Sequence, residues 1–158
     1  MARSLSILRK LKRFASFDAG QQALLAEAAV WLLLARGALI LIPFPRLAPH
    51  LGVFMSPADA RVEAARAAGG EAEAQLAEEI GWAVVRAARH VPFQAVCLPQ
   101  AMTAQMMLKR RGVSCVLHLG AAKGKEKPLD AHAWLDAAGV EVTGFPVARD
   151  FTEIACFV

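Results

Sequence analysis

The strongest constraint on this chain is a change of hydrophobic period at Gly112. Before it, apolar residues recur at helical spacing; after it, they alternate. Upstream, Leu76, Ile80, Val84 and Ala88 fall at spacings of four, one face of a helix over about Glu71 to Arg89 that Pro92 closes. Asp18, followed three residues later by Gln21, reads as a capping box opening a long helix that ends before Pro43. Pro43 to Gly52, with three prolines, reads as a connector. Ser56-Pro57-Ala58-Asp59 marks another helix start, and Gly69-Gly70 its end. The last helix covers about Cys97 to Arg111, with Met102, Met106 and Met107 toward the core and Gly112 as its terminating glycine. Downstream, Val113 to Leu119, Ala131 to Leu135 and Val140 to Thr143 read as strands. A polar loop over Ala121 to Pro128 and a turn at Ala137-Ala138-Gly139 separate them.

Helices followed by an antiparallel sheet make an α+β pattern. At 158 residues the chain is sized for one core. A helical N-terminal region over 1–52 and a core over 53–158 are expected to form one compact domain.

Composition excludes several function classes. The net charge of +4 comes partly from Arg3, Arg9, Lys10, Lys12 and Arg13, with a second basic run at Lys109, Arg110 and Arg111. The chain has no Tyr, and these runs carry few stacking aromatics, which argues against nucleic acid as a partner. The second run reads as a solvated last turn favourable to the helix dipole, with an acidic leader or partner as the alternative. Three cysteines without a CxxC pair argue against a disulfide framework and for a reducing compartment. The four histidines are scattered rather than paired at zinc spacings, so no metal or cofactor is expected.

Mean hydropathy is +0.39, high for a soluble chain. The stretch Ala28 to Ile42 is very apolar, but Glu27 and Arg36 interrupt any window of about 20 residues, the usual spanning length. It reads as a buried helix. The basic start, with Leu5, Leu8 and Leu11, suits peripheral membrane contact.

Two residues carry candidate chemistry. Cys97 opens a predicted helix, where free amides and the dipole favour a thiolate. A cysteine there needs a base from another element, and His132, on a strand 35 residues later, supplies one. The backbone N–H of Cys97 is the natural oxyanion donor; Gln94 is a second candidate that reads first as a solvent-facing loop residue. Trp134 either packs the core or shields the His132 ring. Cys115 and Cys156 read as packing residues.

The segments Cys97-Leu98-Pro99-Gln100-Ala101, Leu108 to Gly112 and Ala131-His132-Ala133-Trp134 together resemble the lasso-peptide leader peptidases, the microcin-processing B-protein protease family. The resemblance implies a transglutaminase-like or papain-like core in which the helix of the nucleophile packs on a small antiparallel sheet. It implies a cytoplasmic bacterial cysteine peptidase with Cys97 and His132 as catalytic residues. Its substrate would be a ribosomally made precursor peptide. It also implies two protein partners, a leader-binding recognition protein and an ATP-dependent macrolactam synthetase. Another acyl-transfer enzyme of this fold, a transglutaminase or deamidase, is the alternative, as is a non-catalytic scaffold. One element departs from the family pattern. Where members often carry an aspartate to orient the histidine, this chain reads Val142-Thr143-Gly144-Phe145. Asp136, Glu141 and Asp150 lie elsewhere, so a dyad is expected, its imidazole fixed by another acceptor such as a neutral side chain or backbone carbonyl near Thr143.

Overall fold

A computed structural model describes residues 16–124 and 128–158. The basic start at Arg3 to Arg13 lies outside the described residues. Helix α1 runs Ala19–Leu41, and the Asp18 carboxylate accepts the Gln21 amide at 2.9 Å, the cap the sequence implied. The chain then forms a second helix, α2, over Phe44–Leu51, where the prolines suggested a connector. The reason is positional. Pro43 is the N-cap and Pro45 stands in the first turn, where a missing N–H costs nothing. Leu47 and Leu51, one turn apart, are buried, while Pro45 and Pro49 stay exposed.

Strand β1 is only Phe54–Met55. Helix α3, Ala60–Ala67, is capped by Asp59 rather than Ser56, since Ser56 to Asp59 closes a turn first. Helix α4 spans Glu71–Ala88 and helix α5 Cys97–Lys109. Strands β2 (Val116–Lys123), β3 (Leu129–Ala137), β4 (Val140–Thr143) and β5 (Thr152–Phe157) follow. The sheet is antiparallel in the order β1-β5-β2-β3-β4. Strand β4 has the limits the sequence implies; β1 and β5 are strands that the alternation does not reveal.

Alternation along the strands divides the sheet into two faces. Leu117, Ala133, Leu135, Ala137 and Phe157 belong to the main core, with Leu32 of α1, Ile80 and Val84 of α4, and Met107 and Leu108 of α5. The register aligns His118 with Trp134 and with Cys156, and Val116 with Asp136, on the other face. There Val62 of α3 covers Met55, Val116 and Cys156 in a smaller cluster. The fold is α+β, with α5 packed on a small antiparallel sheet behind a helical N-terminal region.

The apolar helix α1 buries only one stripe, Leu25, Ala28, Leu32 and Ala35. Val30, Leu33, Leu34, Ile40 and Leu41 are exposed on it. Its length and hydropathy would also suffice to cross a membrane. The basic run at the end of α5 is tied into this packing rather than simply solvated. Arg111 pairs with Glu27 at 2.6 Å, and Lys109 Nζ donates to Leu51 O at 2.9 Å.

Candidate active site

Cys97 is the first residue of α5 and is partly buried. The N-cap, Val96, offers no side-chain acceptor, and Pro99 in the first turn has no amide to give. Helix geometry leaves the Cys97 and Leu98 amides without intrahelical partners. The loop before them is pinned by Gln100, whose Nε2 donates to Ala95 O at 2.6 Å. Gln94 is exposed, as the solvent-facing reading has it.

His132 lies on β3 opposite Gly120, with its ring between two aromatics. Trp134 stacks on it at a centroid distance of 5.9 Å, and Phe151 meets it at 5.3 Å. Trp134 is thus both packed and a cover for the imidazole. Gly120 makes room for it, because a Cβ there would come within 2.7 Å of the indole.

The imidazole is fixed by a backbone group. Nε2 lies 2.6 Å from Gly144 O, just past the end of β4. A carbonyl can only accept, so Nε2 carries the proton and Nδ1 is left as the basic nitrogen of the neutral ring. This acceptor stands where the stretch Val142 to Phe145 offers no carboxylate. Only glycine fits: φ at Gly144 is +85°, and a Cβ would sit 2.4 Å from Ala133 O.

Cys97 and His132 approach from different directions. Cys97 packs against the main core, whereas alternation puts His132 with Trp134 on the opposite face. However, β4 pairs with β3 only over Leu135 to Ala137, so the stretch of β3 holding His132 is free of strand pairing on that side. No hydrogen bond joins Cys97 to His132 among the described residues. Such contacts often tighten only when substrate binds.

A second grouping of cysteine, histidine and acid was not visible in the sequence. Cys156 Sγ lies 3.5 Å from His118 Nδ1, and His118 Nε2 lies 3.0 Å from Asp136 Oδ2. It is ill suited to nucleophilic work. Cys156 is fully buried, and burial, then the hydrogen bond to Glu153, push its thiol far up, away from the thiolate. Burial likewise pushes the Cys115 thiol up, to about 11. Asp136 is engaged by Arg66 at 2.9 Å. Glu141 and Asp150 are exposed.

A cysteine heading a helix that packs on a small antiparallel sheet is the architecture of the papain-like thiol folds. The chain belongs to the transglutaminase-like superfamily, whose family model matches residues 38–156. That superfamily includes cysteine peptidases and transglutaminases, and membership suggests cysteine-based acyl-transfer or peptidase chemistry. No curated protein and no solved structure matches the chain.

Proposed function

We propose that this protein is a cytoplasmic cysteine peptidase that removes the leader from a ribosomally made lasso-peptide precursor. The observation that carries the reading is the Gly144 carbonyl on His132 Nε2, which leaves Nδ1 as a base without help from a carboxylate. In this mechanism Nδ1 takes the Cys97 proton, and the thiolate attacks the carbonyl at the leader–core junction. Amides at the start of α5 stabilise the oxyanion. His132 then returns the proton to the departing core amine, leaving the leader as a thioester on Cys97. Water, deprotonated by His132, releases it. The free core amine becomes the substrate of the macrolactam synthetase. The exposed apolar side of α1 supports a life in a complex with that enzyme and a leader-binding protein, and equally supports contact with a membrane surface.

The test is a cleavage time course followed by mass spectrometry, with and without the leader-binding protein and an added primary amine. Two fragments, formed efficiently only with the binding protein, fit the proposal. An amine adduct identifies a transglutaminase, and a mass gain of one unit at Gln a deamidase. The lack of a Cys97–His132 hydrogen bond favours one further reading, a non-catalytic scaffold of the same complex. That reading requires Cys97 to react with alkylating reagents no faster in the wild-type protein than in folded His132→Ala.

A further inference from the structure

The geometry points to a second site on the outer face of the sheet, a transition-metal site formed by His118, Glu153 and Cys156, of the chemistry that suits zinc. A β-bulge creates it. Strand β5 pairs Ala155 with Leu119 and Glu153 with Gly120, so Ile154 is passed over. Residues three apart on a strand normally face opposite ways; the bulge turns Glu153 to the side of Cys156. His118 faces Cys156 across the pair and comes from β2. One donor atom from each of the three lies within 4.8 Å of the other two.

The donor set is an imidazole nitrogen, a thiolate sulfur and a carboxylate oxygen, which zinc accepts at about 2.0–2.3 Å with water as a fourth ligand. Donors around such an ion stand on the order of 3.5 Å apart. Cys156 Sγ and His118 Nδ1 already stand at 3.5 Å. Cys156 Sγ and Glu153 Oε1, at 2.8 Å, need only the partly exposed Glu153 side chain to swing outward. Glu153 Oε1 also contacts His118 Nδ1.

The surroundings fit as well. A ligating histidine usually presents its other nitrogen to a carboxylate, and Asp136 Oδ2 lies 3.0 Å from His118 Nε2. Neither of these buried atoms has a hydrogen bond of regular geometry, and Arg66 anchors the carboxylate at 2.9 Å. Formal charge closes: a divalent ion balances the Cys156 thiolate and Glu153, and Arg66 balances Asp136. Binding displaces the Cys156 thiol proton and the proton held between Glu153 Oε1 and His118 Nδ1. Trp134 lies flat on His118, with 3° between the planes, and also stacks on His132, so the site is one ring away from the candidate base. The inference does not depend on the peptidase reading.

The test is titration of the chelator-stripped full chain with Co²⁺, in a Cys97→Ser background that removes the partly exposed thiol. One equivalent should bind with a near-ultraviolet thiolate-to-cobalt absorption and a raised Tm, and Zn²⁺ should displace it. Cys156→Ser should abolish the absorption. Asp136→Asn should weaken binding about 10- to 100-fold. Should Cys156→Ser fail to fold, Glu153→Gln decides, with a loss of at least tenfold expected. The proposal is overturned if no stoichiometric cobalt binds. It is equally overturned if the absorption survives in folded Cys156→Ser, is present only with Cys97 intact, or if affinity is unchanged in Glu153→Gln. His118 would then be a hydrogen-bonded histidine between two carboxylates.

Discussion

Replacing Gly144 by alanine tests the carbonyl that orients His132. The new Cβ would lie 2.4 Å from Ala133 O and 2.8 Å from Trp134 Cα, with φ at +85°, so this corner of the loop must move. An L-residue in the left-handed region costs about 1–2 kcal/mol by itself. Gly139→Ala is the control: its φ is +75°, nothing lies within 4 Å of the added Cβ, and it is remote from His132 in the β3–β4 turn. Both variants should lose about 1–2 kcal/mol of stability from the backbone, and Gly144→Ala more because of the contacts. Activity should separate them. A hydrogen bond of this kind is worth about 1–1.5 kcal/mol, and about 1.4 kcal/mol is tenfold in rate. A ring that also adopts the wrong tautomer loses far more, up to about 10⁴-fold where an orienting aspartate is removed from a serine protease. Gly144→Ala should therefore lose at least about tenfold in kcat/KM, with Gly139→Ala near wild type. Nitrogen NMR of His132 should show the Nε2–H tautomer in wild type and its loss in Gly144→Ala. A folded Gly144→Ala protein with wild-type kcat/KM and tautomer would refute the reasoning.

Cys97→Ser should abolish leader cleavage with circular dichroism unchanged, whereas Cys115→Ser and Cys156→Ser should cleave if folded. Glu141→Gln and Asp150→Asn should each stay within about tenfold of wild type, while His132→Ala loses nearly all activity, because an imidazole held by a carbonyl needs neither acid. Asp136→Asn should cost stability, on the order of 2 kcal/mol by thermal or urea unfolding, because it removes the buried partner of a half-exposed Arg66. Glu27 has its pKa lowered, chiefly by the hydrogen bond from Arg111. A group depressed in the folded state contributes stability above its ordinary value of 4.5 that fades as pH falls through the folded value. Glu27→Gln should then lower Tm at pH 7 and leave it nearly unchanged at pH 3.

Local signals carried much of this fold. Asp18, Pro92 and Gly112 punctuate helices through caps and breakers that act within a few residues, and β4 follows from one short alternation beside a glycine turn. Strand β5 was hidden because its bulge at Ile154 breaks the alternation, and β1 is too short to have a period. Helix α2 was hidden by prolines that occupy positions where a helix tolerates them. Helix α1 was legible as a helix, but hydropathy cannot tell a buried face from an exposed apolar one. At the candidate site, Cys97 and His132 announce themselves as side chains. The orienting group is a main-chain carbonyl, and the only trace it leaves in the sequence is a glycine at 144. The His118 cluster draws on β2, β3 and β5, and its one short spacing, Glu153 to Cys156, puts the two on one side of the strand only through the bulge.

The most direct measurement of the central claim is the alkylation rate of Cys97 by iodoacetamide at pH 7, followed by peptide mass spectrometry in wild type and His132→Ala. If His132 is the base for Cys97, wild-type Cys97 should be modified far faster than the buried Cys115 and Cys156, and at least about tenfold faster than Cys97 in a folded His132→Ala protein. Equal rates at Cys97 in the two proteins would contradict the pairing on which the proposed activity rests.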